Sequence, residues 1–147
     1  MKKRKGFLLV TLMALIAVFT VVRTATSPYQ KIRRYVAQHR EPLTAACEAL
    51  LQQQPVERTG FEPAKLVGVC GEDVKIVRFS FGGSGIAPAS ISYGFYYSPD
   101  DLPVPCDGGR WRLERESAEE WVWQGAGDNG CRARRLGNGW YYVEAWV

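Results

Sequence analysis

The spacing of apolar residues changes once in this chain, at Pro55, and that change sets the fold class. Before it, Ile32, Val36, His39, Leu43, Cys47 and Leu50 recur at spacings of three and four. Lys31, Arg33, Arg34, Gln38 and Arg40 lie mostly off the stripe, which is the pattern of a one-sided helix. Ser27-Pro28 supplies an N-cap followed by a proline at the first helical position, where a missing N–H costs nothing. Pro42 removes one hydrogen bond without shifting the stripe, so the spacing predicts a kinked helix, or two collinear helices, over about 28–54.

Beyond Pro55 the period falls to two. Strands are predicted at 66–70, 74–81, 90–98, 110–116, 119–124, 132–136 and Trp140–Trp146. Asn138-Gly139 is the sharpest turn signal, because a type I′ hairpin needs positive φ at both central residues. Strands joined by such short links pair as antiparallel neighbours. The expected fold is α+β: one kinked amphipathic helix, then an antiparallel β-meander of six or seven strands over 65–147. Residues 28–147 would form one domain behind an N-terminal segment, 1–27.

That segment carries Lys2, Lys3, Arg4 and Lys5, then Gly6, then sixteen uncharged residues, 7–22. Counted from Gly6, the run reaches the lower limit for crossing a hydrocarbon core of about 30 Å and exceeds a usual signal-peptide core. Arg23 follows directly, and Thr24-Ala25-Thr26 is a poor cleavage site. Residues 1–27 therefore read as a signal or membrane-anchor segment, with 6–22 in the membrane, and length favours the anchor. Arg23, Lys31, Arg33 and Arg34 balance the N-terminal charges, so orientation is decided by how tightly those charges abut the apolar run and by the cysteines. The domain is expected outside the cytoplasm, membrane-anchored or secreted.

The sequence pI near 9.0 and net charge of +4 would suggest nucleic acid, were the charges not so unevenly placed. From Thr24 onward there are 14 basic and 15 acidic residues. The excess belongs to the N-terminal segment, and no nucleic-acid partner is expected.

Cys47, Cys70, Cys106 and Cys131 include no C-x-x-C pair, which argues against zinc. If 111–116 and 119–124 pair across Ser117-Ala118, the register carries Cys106 and Cys131 to nearly opposite positions at the open end of the hairpin. Cys47 is then left for Cys70, and two disulfides are expected. Four reduced, buried thiols are the alternative.

Familiar catalytic patterns are incomplete. Phe81-Gly82-Gly83-Ser84-Gly85 matches neither a phosphate loop nor a nucleophile elbow and is predicted to be a loop. His39, the only histidine, sits on the helix stripe with no nucleophile placed beside it. Glu119 and Glu120 point to opposite faces of one strand, and neither Asp100-Asp101 nor Asp128 has calcium-loop spacing. No catalytic residue, metal or cofactor is expected.

Aromatics stand out: eleven of eighteen fall between Tyr93 and Trp146. Period two places Trp121 with Trp123 on one face, and Trp140 with Tyr142 and Trp146 on one face. These rows read either as core and cross-strand pairs that stabilise the meander or, since one helix covers only one side of a sheet, as leaving some of Trp121, Trp123, Trp140 and Tyr142 as a ligand-binding surface for a protein or carbohydrate partner. A non-catalytic, membrane-anchored, extracytoplasmic binding module is the expectation. A small secreted hydrolase using Glu114, Glu116, Glu120 or Asp128, or an accessory subunit of a membrane complex, is the alternative.

Overall fold

The computed structural model describes residues 27–86, 89–106 and 112–147. The membrane segment expected over 6–22 lies outside the described residues, as does the start of the strand expected at 110–116. Among the described residues, no helix is long and apolar enough to cross a membrane. The chain divides at the Lys31–Ile32 boundary. Of the first unit only Ser27–Lys31 is described, and it is a capped helix start: the Gln30 N–H donates to Ser27 Oγ at 3.3 Å and the Lys31 N–H to Ser27 O at 3.1 Å.

In the second unit, helix α1 (Pro28–Gln38) continues and α2 (Arg40–Leu51) follows. The break falls at His39, three residues before Pro42. Pro42 has no N–H to give Gln38 O and its ring would press on that carbonyl, so the ladder ends with the His39 N–H on Tyr35 O. It resumes with the Leu43 N–H on His39 O, each bond 3.0 Å long. Ile32, Tyr35, Val36, Leu43 and Cys47 form the buried stripe.

Seven antiparallel strands make one sheet: β1 (Lys65–Cys70), β2 (Ile76–Ile86), β3 (Ala89–Tyr97), β4 (Glu114–Arg115), β5 (Glu120–Gln124), β6 (Gly130–Gly137) and β7 (Trp140–Trp146). Their order is β1-β2-β3-β7-β6-β5-β4, which corrects the expectation of a simple meander. After β3 the chain crosses to the far edge and meanders back, so that β3 and β7 meet in the middle with Phe95 opposite Tyr142, Tyr96 opposite Tyr141 and Tyr97 opposite Trp140. The crossing follows from the apolar pattern. Both faces of β3 and β7 are aromatic, and the helices cover only one of them.

On the helix side, Phe79 stacks on Phe95 at 4.9 Å, Tyr35 tilts against Phe95, and the Trp140 Nε1–H donates to Thr44 Oγ1 at 3.3 Å. On the other side, Ile76, Tyr96, Val104, Cys106, Cys131, Tyr141 and Val143 form a second cluster. Val104 and Cys106 belong to the crossing connection, which thus serves as the lid the helices cannot provide. Hydrogen bonds pin it: the Val104 N–H donates to Tyr96 Oη at 2.8 Å, and Tyr141 Oη donates to Asp101 O at 2.8 Å. Asp101 also pairs with Arg135 and accepts the Gly139 N–H at 3.2 Å.

Two turn readings separate cleanly. Asn138 and Gly139 have φ of 52° and 78°, as the type I′ hairpin requires. The glycine run 82–85, expected to be a loop, instead extends β2 past a bulge between Ser80 and Gly82. A Cβ on Gly83 would lie 2.8 Å from Ile91 O, and one on Gly85 2.3 Å from Ala89 O. Those glycines serve close strand approach rather than flexibility.

Candidate functional site

The β5–β6 hairpin ends in the turn 125–129, and the turn is built around space for two indoles. A Cβ on Gly125 would meet Trp123 Cη2 at 2.8 Å, and one on Gly130 would meet Trp146 Cζ2 at 2.4 Å. With no side chain at either position, the Trp123 ring lies against Gly125 and the Trp146 ring against Gly130. A cavity of about 240 Å³ opens there, lined by Pro105, Cys106, Trp123, Cys131, Ala145 and Trp146, with Asn129, Gly130 and Val147 at its edge. Its walls are mainly apolar, and Asn129 brings the one side-chain amide. A neighbouring hollow, bounded by Ala89, Asp128, Asn129 and Val147, shares part of that rim.

Two thiols belong to the walls. Cys131 lies in β6, opposite Trp123 on β5 and Ala145 on β7. Cys106 lies within the crossing connection, and its Sγ donates to Glu144 O at 3.6 Å. Both thiols act on the buried Tyr96 hydroxyl, whose proton affinity is raised first by burial; the Val104 bond opposes this, and Tyr141, Cys106 and Cys131 add to it. No cysteine pair stands at disulfide distance, so neither expected bridge is present. Cys47 packs under α2 on the helix side, whereas Cys70 pairs with Ile76 in register and packs on the opposite cluster.

The four aromatics named as candidates fall into two rows on opposite faces of the sheet. Trp140 and Tyr142 are buried in the helix-side row, and Tyr142 Oη donates to Glu144 Oε2 at 2.8 Å. Burial, then that bond to Glu144, raises the Tyr142 proton affinity. Trp121 and Trp123 are half-buried on the other face. Trp121 meets Tyr141 edge-on at 5.9 Å and lies 6.0 Å beneath the Arg115 guanidinium. Only Trp123 of the four lines the cavity, and Trp146 joins it there.

The carboxylates are engaged elsewhere. Glu120 lies 2.7 Å from Arg132 Nε and 3.0 Å from Arg134 Nη2, one oxygen to each, and Glu116 is 3.9 Å from Arg132. Both Glu120 oxygens are thus taken up in ion pairs with β6. Asp128 lies exposed in the turn. His39 is exposed, stacked on Tyr35 at 4.6 Å, with Nδ1 3.0 Å from Tyr35 O. Among the described residues, no three His, Cys, Asp or Glu side chains gather as a metal site.

The cavity lies in the link between the strands expected at 119–124 and 132–136, where the sequence pattern alone shows only glycine-rich turn residues. The available signal was a glycine two residues after Trp123 and another at the start of the strand that faces Trp146. Compared with protein-family models, with curated proteins and with solved structures, the chain finds no match in any of the three.

Proposed function

We propose that the chain is a non-catalytic binding module, anchored in a membrane by residues 6–22 with its folded part outside the cytoplasm, and that the cavity lined by Trp123 and Trp146 is its binding site. The observation that carries the site is the pairing of two indoles with two glycines that leave them room, at the mouth of an apolar hollow. A space of about 240 Å³ takes one ring or one branched side chain rather than an extended ligand. A sugar would need several convergent polar groups around a stacking ring, and this wall has Asn129 alone among its amides and carboxylates. An apolar side chain presented by a partner protein is the better fit.

The test uses small probes on the full chain in detergent micelles. N-acetyl-phenylalaninamide and N-acetyl-leucinamide stand for protein side chains, and methyl glucoside and methyl galactoside for sugars. Saturation-transfer signals from the amides but not the glycosides support the reading. Signals from the glycosides alone, or from none of the four, overturn it.

A further inference from the structure

The cavity has a chemical feature that binding alone does not use, since Cys106 and Cys131 both line it. They belong to one buried cluster and reach it from different kinds of structure. Cys131 is fixed in β6, hydrogen-bonded between β5 and β7. Cys106 lies within the crossing connection, outside any strand, two residues beyond the Val104 N–H bond to Tyr96 Oη. Cys47 and Cys70 have no such relation, for one packs on the helix side of the sheet and the other on the opposite cluster.

We propose that Cys106 and Cys131 are a reversible dithiol–disulfide pair, and that forming their bond closes the cavity to its ligand. The closure rests on the binding reading above, whereas the bond itself does not. A disulfide needs its Cα atoms within about 4.4–6.8 Å. The two are not at bonding distance, and β6 is held on both sides, so Cys106, which no strand holds, must move towards Cys131. The hollow that both line supplies the room, and the movement narrows it.

The chemistry is thiol–disulfide exchange, and it requires a co-reactant of one class, the disulfide R–S–S–R of a small thiol or thiol-oxidising protein. The thiolate of Cys106, the more exposed of the two, attacks one sulfur and releases RS⁻, leaving a mixed disulfide. The thiolate of Cys131 then attacks the Cys106 sulfur and releases the second RS⁻. Two electrons pass from the protein thiols to the disulfide, and the two thiol protons end on two molecules of RSH.

The experiment treats the reduced full chain in detergent micelles with oxidised glutathione, alkylates what remains after unfolding, and maps the non-reduced digest. One linked peptide joining Cys106 to Cys131, with Cys47 and Cys70 alkylated, is expected. Links through Cys47 or Cys70, or four alkylated cysteines, would overturn the pair. The unsubstituted chain gives this result, so it does not depend on any variant folding. Cys131→Ser should hold glutathione on Cys106. N-acetyl-phenylalaninamide should then give saturation transfer with the reduced chain and at least tenfold less with the oxidised one. Equal signals from both forms would overturn closure and leave the bond standing. No signal from either would overturn the binding reading, and closure with it, while the linked peptide still decides the pair.

Discussion

The hydroxyl of Tyr96 accepts the backbone N–H of Val104 at 2.8 Å inside the second core. This bond holds the crossing connection against β3, and through it positions Cys106 at the cavity. Tyr96 also stacks on Tyr141 at 5.1 Å, so its ring and its hydroxyl do separable work. Tyr96→Phe keeps the stack and leaves the buried Val104 N–H without an acceptor, which should cost about 1–3 kcal/mol in a urea titration. A cost within error of zero would show that the connection is held by packing alone.

Gly130→Ala places a methyl 2.4 Å from Trp146 Cζ2 and 2.6 Å from Cε2. The indole must swing out of the cavity wall. Loss of about 1–3 kcal/mol, with a red shift of tryptophan emission, is the expected outcome. Gly127 lies in the adjoining turn with open space around it, though its φ is 86°. Gly127→Asn tolerates that backbone and should leave the emission unchanged.

Trp140 and Trp123 should behave as opposites. Trp140 is fully buried against Phe79, Phe95 and Tyr97, so Trp140→Ala should cost about 3–5 kcal/mol and lower the melting temperature sharply. Half-buried Trp123 lines the cavity, and Trp123→Ala should spare most of the stability while removing amide binding. Equal melting temperatures for the two variants would contradict this division.

How much of this was legible before the structure follows from range. The helix stripe, the strand positions and the Asn138-Gly139 hairpin depend on neighbours within a few residues, and period and turn chemistry located them. The course after β3 does not. Nothing local says that 98–106 will cover Tyr96 and Tyr141, yet two apolar faces on β3 and one helical layer already implied that something must. The glycines at 83 and 85 were misjudged for the same reason, since their need is the backbone of β3 across the ladder. Trp140 and Trp123 could be assigned to rows by period two, but which row stays open was set by the connection.

Alkaline pH should destabilise the fold. Burial comes first among the causes that raise the proton affinities of Tyr96, Tyr142 and Cys47. The unfolded chain then releases these protons at lower pH than the folded one. The stabilisation is complete below the ordinary values, near 8.5 for a thiol and 10 for a phenol, and is lost as pH rises beyond them, by up to about 1.4 kcal/mol per pH unit for each group. The urea midpoint should hold from pH 7 to 8 and fall between pH 9 and 11. A midpoint unchanged to pH 11 would contradict the burial of these groups.

The most direct test of the cavity as a binding site reads the five indole N–H resonances of the full chain, labelled with ¹⁵N-tryptophan and assigned by single Trp→Phe variants, during titration with N-acetyl-phenylalaninamide. Saturable shifts confined to Trp123 and Trp146, and abolished in Gly130→Ala, are the predicted result. Shifts at neither, or shifts that persist unchanged in Gly130→Ala, would contradict it.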